Sequence, residues 1–221
     1  MGQKLQENGY TIVPFDTTAD IYIVNTCSVT NIAYRKSRQM LHQAKKRKPS
    51  AIVVATGCYV QTGTDILQDD PYVDLLIGNE RKKDIAAILA EYEADRRQDA
   101  AAVWHSAEQD PAAARDKTLH GTSVTDIALD TTYEEMSLTR SEEHTRAYIK
   151  IQDGCNQFCS YCIIPYARGR VRSRQEADIL REARTLTENG FQEIVVTGIH
   201  ISSYGMDFDG KSNPAEGEGF D

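Results

Sequence analysis

No apolar run in the 221 residues approaches the roughly 18–20 needed to cross a bilayer as a helix. The opening MGQKLQENGYTIVPF lacks the apolar core of a secretory signal. Gln6 stands where a myristoylated start carries Ser or Thr. The expected location is therefore cytoplasmic, with no membrane partner. Cysteine is scarce and odd in number: positions 27, 58, 155, 159 and 162. Five cysteines without a secretory signal argue against a disulfide framework and for metal ligands or redox groups.

Excess charge of one sign is present, but it is local. The net charge of −8 disfavours binding to phosphates when taken over the whole chain. Between Asn31 and Lys48, however, seven basic residues (Arg35, Lys36, Arg38, Lys45, Lys46, Arg47, Lys48) occur with no acid. Between Glu91 and Glu135 eleven acids face four bases. The global sign comes mainly from that acidic segment.

The first part of the chain alternates strand-like and helix-like runs. Strands are expected at Ile21–Val24, Ala51–Ala55 and Val73–Ile77. Helices are expected over 31–47, 60–67 and 80–93. Apolar strands separated by helices imply βαβ units and a parallel sheet covered on both faces. Cys27 and Cys58 each follow a strand's carboxyl end, where such sheets hold ligands. They can share one sheet edge, although a small buried cysteine is the plainer reading of each. Residues 94–143 read as an acidic linker or insertion; its stretch ADRRQDAAAVWHSAEQDPAAARDK is rich in Ala, Asp and Gln, with Trp104 its one large hydrophobe. A second α/β pattern starts near Thr145, with strands at 147–152 and 193–197 and a helix over 173–188 stopped by Asn189-Gly190. No element is expected beyond Asp207.

Cys155-Asn-Gln-Phe-Cys159-Ser-Tyr-Cys162 sets three thiols within eight residues, directly after a strand. Structural zinc usually takes four ligands in two separated pairs, and no fourth Cys or His lies in this loop. A 4Fe–4S cube on three cysteines leaves one iron open to a substrate. Zinc with a remote fourth ligand and an inert buried cluster are the alternatives. Arg168, Arg170, Arg172 and Arg174 alternate after the loop. With the 35–48 run they suggest two basic surfaces for RNA, although any single arginine reads equally as a solvated charge.

The C-x3-C-x2-C spacing with Tyr161 before the last cysteine resembles the radical S-adenosylmethionine superfamily. The longer stretch YIKIQDGCNQFCSYCIIPYARGRVRSR resembles its tRNA-modifying methylthiotransferase branch, as do NTCSVTNIAYRKSRQ and TGCYVQ in the first part. The basic run after Cys27 resembles the threonylcarbamoyladenosine type. The resemblance spans 3–93 and 145–206 and skips the acidic middle.

That resemblance implies an enzyme with two 4Fe–4S clusters and S-adenosylmethionine. Cys155, Cys159 and Cys162 would hold the radical-generating cluster, and Cys27 and Cys58 the second. Gly198, His200 and Tyr204, in the stretch Gly198–Gly205, would lie near the S-adenosylmethionine. No catalytic side chain is singled out. Cleavage of S-adenosylmethionine would give a radical that abstracts hydrogen from carbon 2 of the target adenine, N6-threonylcarbamoyladenosine next to the anticodon. The implied partners are the tRNA anticodon loop and an electron donor of flavodoxin-like or ferredoxin-like type. A target base in such a loop is already partly unstacked, which makes its recognition cheap.

The expected organisation is α/β throughout. A parallel-sheet amino-terminal domain at 1–93 precedes a linker at 94–143 and the first βα units of a radical domain at 144–221. The family's amino-terminal domain carries a further strand and cysteine ahead of the position where Met1 aligns. A full eight-unit barrel takes about 250 residues, whereas 77 follow from Thr145. The expectation is a fragment of a longer enzyme, inactive by itself. Methylthiolation of another adenosine or of a protein residue is the second reading. A non-catalytic metal-binding module is the third.

Overall fold

Ile52–Gly57 is buried at every position, as a β-branched run between two covering layers must be. This strand, β2, lies at the centre of the first of two units into which the chain divides, Met1–Thr125 and Asp126–Asp221. The computed structural model describes residues 1–107, 121–127, 133 and 146–208, excluding the side chains of 99–107. Trp104's side chain, most of 108–145 and the tail beyond 208 lie outside these residues.

The first unit runs α1 (Gly2–Glu7), β1 (Ile21–Thr26), α2 (Asn31–Arg47), β2, α3 (Cys58–Thr62), α4 (Thr64–Gln68), β3 (Leu75–Ile77), a 3₁₀ turn (Asn79–Asp84), α5 (Ile85–Ala107) and β4 (Gly121–Ser123). The strands form one sheet in the order β1-β2-β3-β4, with every pair parallel. Alternation along β2 splits the core, because successive side chains face opposite sides. Val53 and Ala55 pack with Leu41, Ala44, Tyr59 and Leu67 on one side. Ile52 and Val54 pack with Leu5, Ile85 and Leu89 on the other. Thr30 caps α2, its side chain accepting the Ala33 amide at 3.1 Å.

Two expectations change here. The helix expected over 60–67 is broken at Gly63 into α3 and α4. Of the stretch 94–143 read as a linker, residues 94–107 extend α5, and 121–123 form β4 on the first sheet. Ala, Glu, Gln and Arg are strong helix formers, so a polar stretch rich in them can continue a helix begun by packing.

The second unit contains β5 (Arg146–Asp153), α6 (Ile164–Arg168), β6 (Arg172–Ser173), α7 (Glu176–Glu188), β7 (Glu193–Gly198) and a 3₁₀ turn at Ile201–Ser203. The sheet order is β6-β5-β7, with β5 and β7 parallel and β6 antiparallel. Ala147, Ile149 and Ile151 pack against α7 through Leu186. The pairing shifts between Lys150 and Gln152, a bulge that leaves Ile151, Gln152 and Asp153 all buried. The helix expected from Ser173 begins at Glu176, because Ser173 is held in β6 opposite Gln152. No described helix is long and apolar enough to cross a membrane.

Candidate metal centre

Each unit brings a cysteine to a strand's carboxyl end behind a glycine with positive φ. In the first unit Thr26 and Gly57 are register partners, so Cys27 and Cys58 leave neighbouring strands side by side. Gly57 has φ +105°, and a Cβ there would stand 2.2 Å from Thr26 O. Only glycine permits so close an approach. The two cysteine segments are also linked by side chains. Thr62 Oγ1 lies 3.0 Å from Cys58 O and 3.3 Å from Ser28 Oγ. The Cys27 amide donates to Ser37 Oγ at 3.0 Å, which fastens α2 to this edge. Cys58 is buried and Cys27 half-buried.

In the second unit β5 ends at Asp153, and Gly154 (φ +71°) turns the chain into the three-cysteine loop. A Cβ on Gly154 would stand 1.7 Å from Arg170 O. The Cys155 amide donates to Gly169 O (3.1 Å), Val171 N to Asn156 Oδ1 (3.0 Å), and Cys162 N to Cys159 O (2.8 Å). Phe158, the one described non-glycine residue with positive φ (44°), packs edge-on against Tyr166 beneath the Arg170 guanidinium. The loop is thus tied to the strand that leaves it. Cys159 is exposed, and Cys155 and Cys162 are half-buried.

The donor set fits a soft metal centre: three thiols on one anchored loop. Among the described residues no three His, Cys, Asp or Glu side chains are already drawn together to hold a metal ion. None of the three loop thiols is sealed in the core, since Cys159 is exposed and Cys155 and Cys162 are half-buried. The first unit offers two thiols at its edge and no third. Two sulfurs alone are an incomplete set for a cube, so the fit there is partial.

Gly198 ends β7 directly opposite Gln152, and the residues after it fold against β5. The His200 amide donates to Gln152 Oε1 at 2.8 Å, and the His200 ring lies 2.6 Å from Ser203 Oγ. Tyr204 turns away from this edge. Its hydroxyl donates to Arg174 O at 3.0 Å, and its ring joins the β5–α7 core. Burial, with Glu176 and Asp207 nearby, raises its phenol above the ordinary value. Gly198 and His200 therefore share an edge with the cysteine loop, while Tyr204 braces β6.

Asp153 and Gln152 carried no expectation, although two polar residues closing an apolar alternation were a visible signal. Asp153 is buried beside Lys150 (2.7 Å) and Arg168 (3.6 Å). Burial alone would raise its carboxyl, but Lys150, Arg168 and Arg172 hold it below the ordinary value.

The basic residues are less available than their spacing suggested. Arg172 and Arg174 are 4% and 3% exposed. Arg174 pairs with Glu182 inside the unit, and Arg172 donates to Arg168 O at 2.7 Å. On α2, Lys45 holds buried Asp74 through both oxygens (2.7 and 2.6 Å). Arg38 lies 3.9 Å from Asp70, Lys48 pairs with Asp20, and Arg47 bonds to Phe15 O. Arg35, Lys36 and Lys46 remain exposed.

Comparison with known proteins accounts for both units. Residues 1–78 match Uncharacterized protein family UPF0004, and residues 149–210 match the Radical SAM superfamily. The threonylcarbamoyladenosine tRNA methylthiotransferase of Bacillus subtilis (strain 168) is 36% identical over 205 residues, 93% of this chain and 41% of that protein. Its namesake in Aquifex aeolicus (strain VF5) is 39% identical over 204 residues, 92% of this chain and 44% of that protein. The tRNA-2-methylthio-N(6)-dimethylallyladenosine synthase of Carboxydothermus hydrogenoformans is 33% identical over 218 residues, 96% and 44% of the two chains. The chain spans about two-fifths of the length of these relatives. Superfamily membership implies a 4Fe–4S cluster and S-adenosylmethionine. The chain thus carries a UPF0004 unit followed by the start of a radical SAM unit, and over more than nine-tenths of its length it is similar to methylthiotransferases.

Proposed function

We propose that these residues serve a cytoplasmic tRNA methylthiotransferase that adds a methylthio group to carbon 2 of N6-threonylcarbamoyladenosine beside the anticodon. The observation that carries this reading is the pairing of two glycine–cysteine strand ends, at Cys58 and Cys155, in two successive units. Cys155, Cys159 and Cys162 hold a 4Fe–4S cluster, with Gly198 and His200 beside it at the S-adenosylmethionine. The cluster supplies one-electron cleavage of S-adenosylmethionine. The chain's own residues position that chemistry. Gly154 and the Cys155–Gly169 bond hold the loop at the end of β5, and the turn after Gly198 gives close backbone approach. Cys27 and Cys58 are the sulfur-side ligands of a second cluster, completed by a ligand beyond these two thiols. The join between the two functions falls within 94–143. Arg35 and Lys36 meet the RNA backbone. Electrons come from a flavodoxin-like or ferredoxin-like donor.

Mass spectrometry of tRNA from cells lacking the gene tests the substrate. Loss of methylthio-threonylcarbamoyladenosine is expected, and an unchanged level refutes the assignment. Anaerobic reconstitution tests the centre. Iron and sulfide with charge-transfer absorption support it, and one equivalent of zinc without that absorption favours a non-catalytic module. The 221 residues alone are expected to show no turnover. Among the described residues of the second unit, Tyr148 on β5 and Val196 on β7 are each 47% exposed.

A further inference from the structure

Gln152 is the one fully buried polar side chain of the second unit's described residues with 0% exposure. It sits at the bulge in β5, where the shifted register turns it inward one residue after Ile151. Its carboxamide is used on both sides. Nε2 donates to Asp153 O and to Gly154 O, each at 2.7 Å, and Oε1 accepts the His200 amide at 2.8 Å. Gly198 lies against the same group, because a Cβ there would meet Gln152 Oε1 at 3.0 Å and Gln152 Cβ at 3.1 Å. One planar amide therefore spans the last two carbonyls before Cys155 and the first turn after β7. A buried amide with two donors and one acceptor satisfied is costly to replace, since each stranded partner is left in a water-free site.

We propose that Gln152 is a positioning residue that locks the start of the cysteine loop to the Gly198–His200 turn. Loading of the loop is thereby transmitted to the turn that lies beside the S-adenosylmethionine. This rests on the reading of Cys155, Cys159 and Cys162 as the cluster site. The geometry of the lock itself is independent of that reading. Glutamine suits the task because it presents donors and an acceptor from one rigid group. Leucine has nearly the same shape and neither function. Glutamate keeps the acceptor for His200 but sets an oxygen against two carbonyls.

Hydrogen exchange followed by mass spectrometry on the full chain tests this, with and without anaerobic loading of iron and sulfide. In the wild type, loading is expected to slow exchange of peptide 198–204 at least threefold. Gln152→Leu is expected to retain iron, to exchange 198–204 at least tenfold faster, and to lose the response to loading. Gln152→Glu is expected to keep 198–204 within twofold of wild type while residues 153–156 exchange at least fivefold faster. Exchange of 198–204 within twofold of wild type in Gln152→Leu overturns the proposal. So does loss of protection throughout β5 and α7 alike in both variants, because Gln152 would then hold the whole unit. A wild-type chain that takes up no iron or sulfide refutes the cluster reading instead. The unloaded comparison of the variants still decides the lock.

Discussion

Replacing Gly57 with alanine tests the construction that sets Cys58 beside Cys27. The backbone there has φ +105° and ψ −168°, a region that costs a side-chain-bearing residue about 1–3 kcal/mol. A Cβ would also stand 2.2 Å from Thr26 O, 2.8 Å from Asn25 Oδ1 and 2.9 Å from Thr26 N. Ordinary carbon–oxygen contact begins at about 3.3 Å, so β1 and β2 must part by about 1 Å at their last rung. That movement breaks the 2.6 Å bond from Thr26 Oγ1 to Thr56 O and the ladder bond beside it, at about 1 kcal/mol each. The expected loss is about 3–5 kcal/mol, out of a typical domain total of about 5–15 kcal/mol. Gly9 supplies the control. It also has positive φ (+88°), but a Cβ there meets nothing within 4 Å, so Gly9→Ala bears only the backbone cost of about 1–2 kcal/mol. Native-state hydrogen exchange of the β1 and β2 peptides measures both variants. If Gly57→Ala and Gly9→Ala agree within about 0.5 kcal/mol, the close approach does not constrain the sheet edge and the reasoning fails.

Exposure separates the basic residues by function. A double variant, Arg35→Ser with Lys36→Ser, is expected to weaken binding of an anticodon stem-loop by the intact enzyme. It should also flatten the dependence of log K on log salt by about 1.4, at about 0.7 per charge for single strands. Arg174→Met is expected to leave that slope unchanged while destabilising the second unit by about 3–5 kcal/mol in urea unfolding, since it breaks the ion pair with Glu182 inside the unit. Asp153 sets an acid-side dependence. Its carboxyl is held below the ordinary value, so its contribution is present above the unfolded value of about 3.9 and is lost as pH falls through the lower folded value. Urea midpoints of the second unit measured from pH 5 downward should therefore fall less steeply in Asp153→Asn than in wild type. A parallel fall refutes the role of the three surrounding cations.

The strands were legible where burial on both faces leaves an unbroken apolar run, as at Ile52–Val54. Placement of Cys27 and Cys58 at one edge followed from parallel order alone. The short elements were not legible. β6 is two residues long and exists because Gln152 and Asp153 offer it partners 21 and 19 residues away, so no periodicity announces it. The alternating arginines were misread for the same reason. Their spacing is that of a strand, and only the position of Glu182 on α7 shows that Arg174 turns inward. Helix α5 runs on to Ala107 because a polar composition that suits a linker also suits the continuation of a helix. The lock at Gln152 depends on a residue 48 positions away, a distance over which local pattern carries no information.

That separation also has a consequence in time. Gln152 and the loop carbonyls it binds leave the ribosome together, whereas His200 follows 48 residues later. At about 5–20 residues per second the interval is about 2–10 s. During it the three thiols are already synthesised on a half-built support, and β5 has no parallel neighbour. A cluster delivered in that interval would meet a loop held on one side only; one delivered afterwards would meet both. The 48-residue separation would thus tie maturation of the proposed centre to the order in which the chain is synthesised.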